Sequence, residues 1–159
     1  MTKRLIAVII CVVLCTVCLC GCGSVQGKEI NSDLSAVYDD ILNNTETPEM
    51  VILSEKRMMN NFGIDAAACR QAIVSVCGDS LRTDEIWLVE ANSEETANEY
   101  LRTAKNRIEQ KCAENENYLP EQYAVAKEGK AVQYGAYVAM FVSPESGTML
   151  DIFNAACGK

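Results

Sequence analysis

The feature that most limits what this chain can fold into is the apolar run at its start. Leu5 to Leu19 is a stretch of 15 residues interrupted only by Thr16, and it follows Lys3 and Arg4. A spanning helix needs about 20 apolar residues to cross a hydrocarbon core roughly 30 Å thick, so this run has the length of a secretory signal peptide. It also distorts the composition. Residues 1–21 hold 16 apolar residues and four of the nine cysteines, so the overall 49% hydrophobic content averages a leader with an ordinary chain. From Cys22 onward there are 138 residues, and loss of the two leader cations takes the formal charge from 14 − 22 = −8 to 12 − 22 = −10. That length suits one domain burying about two-thirds of its surface, and its apolar content is too high for a disordered or low-complexity chain.

The residues closing the run are specific. Leu19-Cys20-Gly21-Cys22 resembles the lipobox of bacterial lipoproteins, in which a small residue precedes a cysteine that is diacylated and becomes the mature N-terminus. Cys20 and Cys18 follow Leu19 and Val17, which are too large for that position, so Cys22 alone qualifies. At about 0.8 kcal/mol per buried methylene, two acyl chains hold a protein stably at a membrane where one holds it marginally. The expectation is a signal peptide over residues 1–21 and a flexible tether over residues 22–31. A single ectodomain would follow over residues 32–159, held at the extracytoplasmic face of the cell membrane by the diacylglyceryl group, with palmitate or a similar acyl chain on Cys22.

Within the ectodomain, hydrophobic periodicity alternates between helical and extended. Leu34, Val37, Tyr38, Ile41 and Leu42 form one helical stripe, with Asn31 or Ser32 as cap. A short second helix covers 54–61, and Gly63 marks the reversal after it. Two strands, 72–77 and 85–91, are rich in β-branched residues and flank a turn-rich loop. Ser93-Glu94-Glu95 opens the longest helix, whose stripe is Ala97, Tyr100, Leu101, Ala104, Ile108 and Cys112. Tyr118-Leu119-Pro120 breaks it. Strands over 130–134 and 137–143 meet at Gly135-Ala136, and a last helix carries Met149, Phe153 and Cys157 on its stripe. This predicts an α+β domain in two layers: a mainly antiparallel four-stranded sheet with helices packed on one face, in the order α-α-β-β-α-β-β-α.

Several of these elements recur together elsewhere. The lipobox, the leading amphipathic helix, Phe62-Gly63-Ile64-Asp65, Ile86-Trp87-Leu88, the long helix after Ser93 and Gly135-Ala136-Tyr137-Val138 resemble, in this order, the bacterial lipoproteins of domain-of-unknown-function family 4358 of Gram-positive anaerobes. The similarity spans about Leu34 to Cys157. It implies export and lipid anchoring, and it transfers no catalytic or binding residue.

The residue inventory disfavours chemistry. The chain has no histidine, which removes the commonest general base and metal ligand. Cys69, Cys77, Cys112 and Cys157 lack C-x-x-C spacing. They read either as free thiols, with Cys112 and Cys157 on apolar stripes, or as disulfides. Were Cys69 and Cys77 to share one extended strand, they would lie about 26 Å apart, beyond the roughly 7 Å a bridge spans. The acidic pairs Asp39-Asp40, Asp84-Glu85 and Glu94-Glu95 read as solvated faces and helix caps, because neighbours in sequence do not face each other across a cleft. No phosphate loop or EF-hand spacing occurs, and a charge of −10 opposes nucleic acid. The expectation is therefore a non-enzyme without cofactor or metal, whose partner is an unidentified envelope protein or ligand. The candidate partner surface is Trp87, Tyr118, Tyr123 and Tyr134. The alternative is a small-molecule or ion-binding accessory lipoprotein of a transporter or envelope system, recognisable by a polar pocket between sheet and helices.

Overall fold

A computed structural model describes residues 32–158. The expected signal peptide, lipidated Cys22 and tether lie outside the described residues. The described elements are α1 (Leu34–Asn44), β1 (Met50–Ile52), α2 (Glu55–Phe62), a 3-10 turn (Ala66–Ala68), β2 (Cys69–Cys77), β3 (Glu85–Ala91), α3 (Glu94–Asn115), α4 (Pro120–Lys127), β4 (Lys130–Tyr134), β5 (Tyr137–Val142) and α5 (Ser146–Cys157). The strands form one antiparallel sheet in the order β1-β2-β3-β5-β4.

The α+β class is as expected, and the details differ in three places. The sheet has five strands, because Met50–Ile52 pairs with Ser75–Cys77 as a short edge. Pro120 starts a further helix, α4, in which it occupies the first turn, where the missing N–H costs nothing. The helices also cover both faces of the sheet, so the two-layer arrangement is corrected to three layers. Every residue of β3 and of β5 is buried, and an antiparallel strand that is apolar on both sides must be covered on both.

The register separates the two cores. Val74, Trp87 and Met140 are cross-strand neighbours, and they share a cluster with Ala97, Tyr100 and Ala104 of α3 and Ala126 of α4. One residue along, the opposite face presents Ile86 and Phe141. There Phe153 of α5 meets Phe141 edge-on at 6.2 Å between ring centroids, and α1 contributes its buried Leu34, Val37, Tyr38 and Ile41.

Local signals explain the element ends. Asp33, rather than Asn31 or Ser32, caps α1, accepting the Ser35 N–H at 2.9 Å. Ser93 caps α3 through the Thr96 N–H, as the serine-diglutamate signature predicts. Gly63 ends α2 at φ +69°, a conformation that penalises any Cβ. Ser32 is held at three points. Its N–H donates to the Tyr137 hydroxyl at 3.2 Å, its Oγ donates to the Ala156 carbonyl at 2.6 Å, and its carbonyl accepts from Gln71 Nε2 at 2.9 Å.

Candidate functional site

The first residue of β3, Glu85, is 0% exposed. Buried carboxylates need partners, because an isolated charge in a low-dielectric interior is expensive. Four donors converge on this one. Arg107 reaches both oxygens through Nε at 3.2 Å and Oε2 through Nη2 at 3.0 Å. Lys111 Nζ lies 2.8 Å from Oε2, and Trp87 Nε1 donates to Oε1 at 2.8 Å. Arg107 and Lys111 are four residues apart on α3, so one helix face presents both, while Trp87 stands two residues along β3 on the side of Glu85.

Packing holds this arrangement. The Arg107 guanidinium sits 5.3 Å from the centroid of the Phe62 ring, a favourable cation–π placement. Phe62 in turn packs on Trp87 with ring centroids 4.8 Å apart. Lys111 also donates to the Thr83 carbonyl at 2.9 Å. Beside the cluster, buried Asp84 accepts from Arg82 Nε at 3.0 Å and Nη2 at 3.3 Å, and hydrogen bonding to Asp84 raises the Arg82 pKa.

Of these residues, Phe62, Arg82, Asp84, Glu85, Arg107 and Lys111 line a cleft of about 430 Å³ at the Glu85 end of the sheet. Helix α2 contributes Arg57, Asn61 and Phe62, helix α3 contributes Arg107, Gln110 and Lys111, and the loop after β2 contributes Asp79, Ser80 and Arg82. The cleft is therefore polar and lies between sheet and helices. Sequence reading missed it and took Asp84-Glu85 for solvated acids; both are buried and ion-paired. The signal that marks it is positional. Arg107 and Lys111 fall three and seven residues after Ala104, on the buried stripe of α3.

The expected partner surface does not assemble. Trp87 is 0% exposed at the centre of the α3-side core, which corrects its reading as a surface anchor. Glu85, its neighbour on the same side of β3, is inside with it. Tyr118 is 84% exposed, and Tyr123 is half-buried with Lys127 Nζ 6.0 Å from its ring centroid. Tyr134 packs on the opposite side of the sheet. Its ring stacks with Phe153 at 6.1 Å and its hydroxyl bonds Asn154.

Cys69, Cys77, Cys112 and Cys157 are free. Cys69 and Cys77 stand at opposite ends of β2. Burial pushes the Cys69 and Cys157 thiols above their ordinary pKa, which disfavours the reactive thiolate. Among the described residues, no three Cys, Asp or Glu side chains are grouped to hold a metal ion, and no helix is long and apolar enough to cross a membrane.

No curated protein and no solved structure matches this chain. A family model described as Domain of unknown function (DUF4358) matches residues 43–143. That span runs from the end of α1 through β5 and includes every residue of the Glu85 cluster. With more than half of its length matched, the chain belongs to the DUF4358 family.

Proposed function

We propose that this protein is a lipid-anchored extracytoplasmic lipoprotein whose α+β domain is a non-enzymatic binding module, taking a small polar molecule in the cleft at the start of β3. The observation that carries this reading is the cleft itself. A volume of about 430 Å³ lies within the range of small-molecule sites, and its walls combine fixed charges with the apolar faces of Leu53, Phe62 and Val76. Its buried acids are locked in ion pairs, which suits holding a ligand in one orientation better than exchanging protons with it. The anchor rests on the lipobox at Cys22 and on the signal-length run before it.

Two experiments test the reading. Metabolic labelling with a fatty acid is expected to mark the wild-type chain and to fail on Cys22→Ser; label retained by that variant refutes the anchor. In-cell cross-linking followed by mass spectrometry is expected to yield no reproducible protein joined through cleft residues. A protein partner captured there would replace the small-molecule reading with a protein-docking one.

A further inference from the structure

We infer that the cleft binds its ligand through an oxyanion, a carboxylate or phosphate group, held between Arg57 and the Arg107–Lys111 pair. The inference rests on reading the cleft as a ligand site and specifies the chemistry of what enters.

Three observations lead there. The first is charge balance. Glu85 is buried against two cations, Arg107 and Lys111, so the innermost cluster carries one positive charge in excess. Asp84 does not neutralise it, being engaged with Arg82, and Asp79, which accepts the Leu81 N–H at 2.9 Å, keeps its charge but is exposed in its loop, where solvent screens it. Glu114 stands 3.9 Å from Arg107 Nη1 but is 52% exposed in its side chain, where solvent screens it. The second is donor supply. Lys111 has three N–H groups and uses two, on Glu85 and the Thr83 carbonyl. Arg107 has five and spends three, on Glu85 and Gln110. The third is Arg57. It lines the same cleft, and among the described residues its guanidinium makes no hydrogen bond or ion pair, only its backbone N–H bonding the Ser54 carbonyl at 2.8 Å.

The wider setting makes this placement informative. The chain carries 22 acids against 14 Lys and Arg, yet Arg57, Arg82, Arg107 and Lys111 line one cleft. An acidic surface repels anions at long range, so an anion entering here must be held by short charge-assisted bonds. A guanidinium offers carboxylate and phosphate oxygens a planar fork of donors. Phe62 and Leu53 give the rest of the ligand an apolar wall.

The test uses the full chain in an uncharged detergent at pH 7, with ionic strength held constant by sodium chloride. Its single tryptophan, Trp87, is bonded to Glu85 and reports on the cleft. Inorganic phosphate, citrate and glucose are titrated while Trp87 fluorescence and Tm are followed. A saturable response to phosphate, to citrate or to both is expected, and the anion that responds identifies the headgroup. Arg57→Ala is expected to weaken that binding at least tenfold. Because the Arg57 guanidinium has no partner among the described residues, the unliganded Tm of the variant should match wild type, so the loss is not one of folding. Absence of any saturable anion response overturns the inference, as does equal affinity in Arg57→Ala. A response to glucose alone also overturns it, while leaving the cleft a site for a neutral ligand.

Discussion

Replacing Glu85 by glutamine tests the buried cluster most directly. The side chain keeps its size, and its amide oxygen can still accept from Trp87 Nε1, now at 2.8 Å. What disappears is the charge that Arg107 and Lys111 share at 3.0 and 2.8 Å. Two cations then remain together, with Lys111 only 6% exposed. Removing one partner of a buried ion pair costs about 3–5 kcal/mol, because the charge left behind has neither water nor counter-ion. Domain stabilities are roughly 5–15 kcal/mol, so Glu85→Gln should remove about a fifth of the total or more. The transition should move down by roughly 10–25 °C, taking about 3–5 °C per kcal/mol for a domain of this size. Urea unfolding followed by Trp87 emission measures it. Lys111→Met, which leaves Glu85 its Arg107 and Trp87 bonds, should cost less, about 1–3 kcal/mol from the orphaned Thr83 carbonyl. A Glu85→Gln variant within about 1 kcal/mol of wild type, or one less destabilised than Lys111→Met, would refute the view that Glu85 is the hub.

The remaining expectations concern the frame around that cluster. Phe153→Ala should cost about 3–5 kcal/mol by opening a cavity in the α1/α5 core; a loss under 1 kcal/mol in urea unfolding would mean the second layer contributes little. Gly63→Ala should cost roughly 1–2 kcal/mol from backbone strain at φ +69°, since nothing lies within 4 Å of the added methyl, and Gly63→Asn should recover part of it. Burial raises the pKa of Tyr38 and Tyr137 and pushes Tyr100 up to about 12. The folded state thus holds these protons more tightly than the unfolded one, so their contribution is complete below pH 10 and falls as pH rises through about 12. Stability measured across that window should drop less steeply in Tyr100→Phe; an equal slope would remove Tyr100 as a source. Cys157, 0% exposed, should resist alkylation in the folded chain more than Cys77, and equal rates would contradict its burial.

How far the sequence disclosed this structure depended on period. Stripes of three and four residues placed α1 and most of α3, since Leu34, Val37, Tyr38 and Ile41 of the one and Ala97, Tyr100 and Ala104 of the other are buried. The segment Tyr137 to Val142 is apolar on both sides, as suits a central strand, yet the expectation of helices on one face did not follow that pattern through to the helical layer found on each face. β1 escaped because three residues carry no period, and α4 because Pro120 reads as a breaker although it opens a helix, the preceding one having already stopped at Asn115. The cleft was hidden for a different reason. Composition treats Glu85, Arg107 and Lys111 as surface residues. Their burial becomes visible only when the period of α3 is carried past Ala104 and the face of β3 past Trp87, which brings two strangers in sequence, 85 and 107, into one ion pair. Tyr118, Tyr123 and Tyr134 failed as a group because their clustering was one of sequence, and the sheet stands between the α4 side and Tyr134.

The three bonds on Ser32 have a mechanical consequence. They fix the point at which the domain takes up its chain, at the end of the sheet where Gln71 pairs with Glu90 and Glu90 with Tyr137. Glu85 and the cleft lie at the other end of β3, about 17–20 Å along the strand. Under the proposed acylation of Cys22, ten peptide steps would separate the lipid from Ser32, a reach of at most about 35 Å. A pull on the chain entering at Ser32 would therefore pass into β5, α5 and β2 through Tyr137, Ala156 and Gln71, and would reach the cleft only through the whole length of β3.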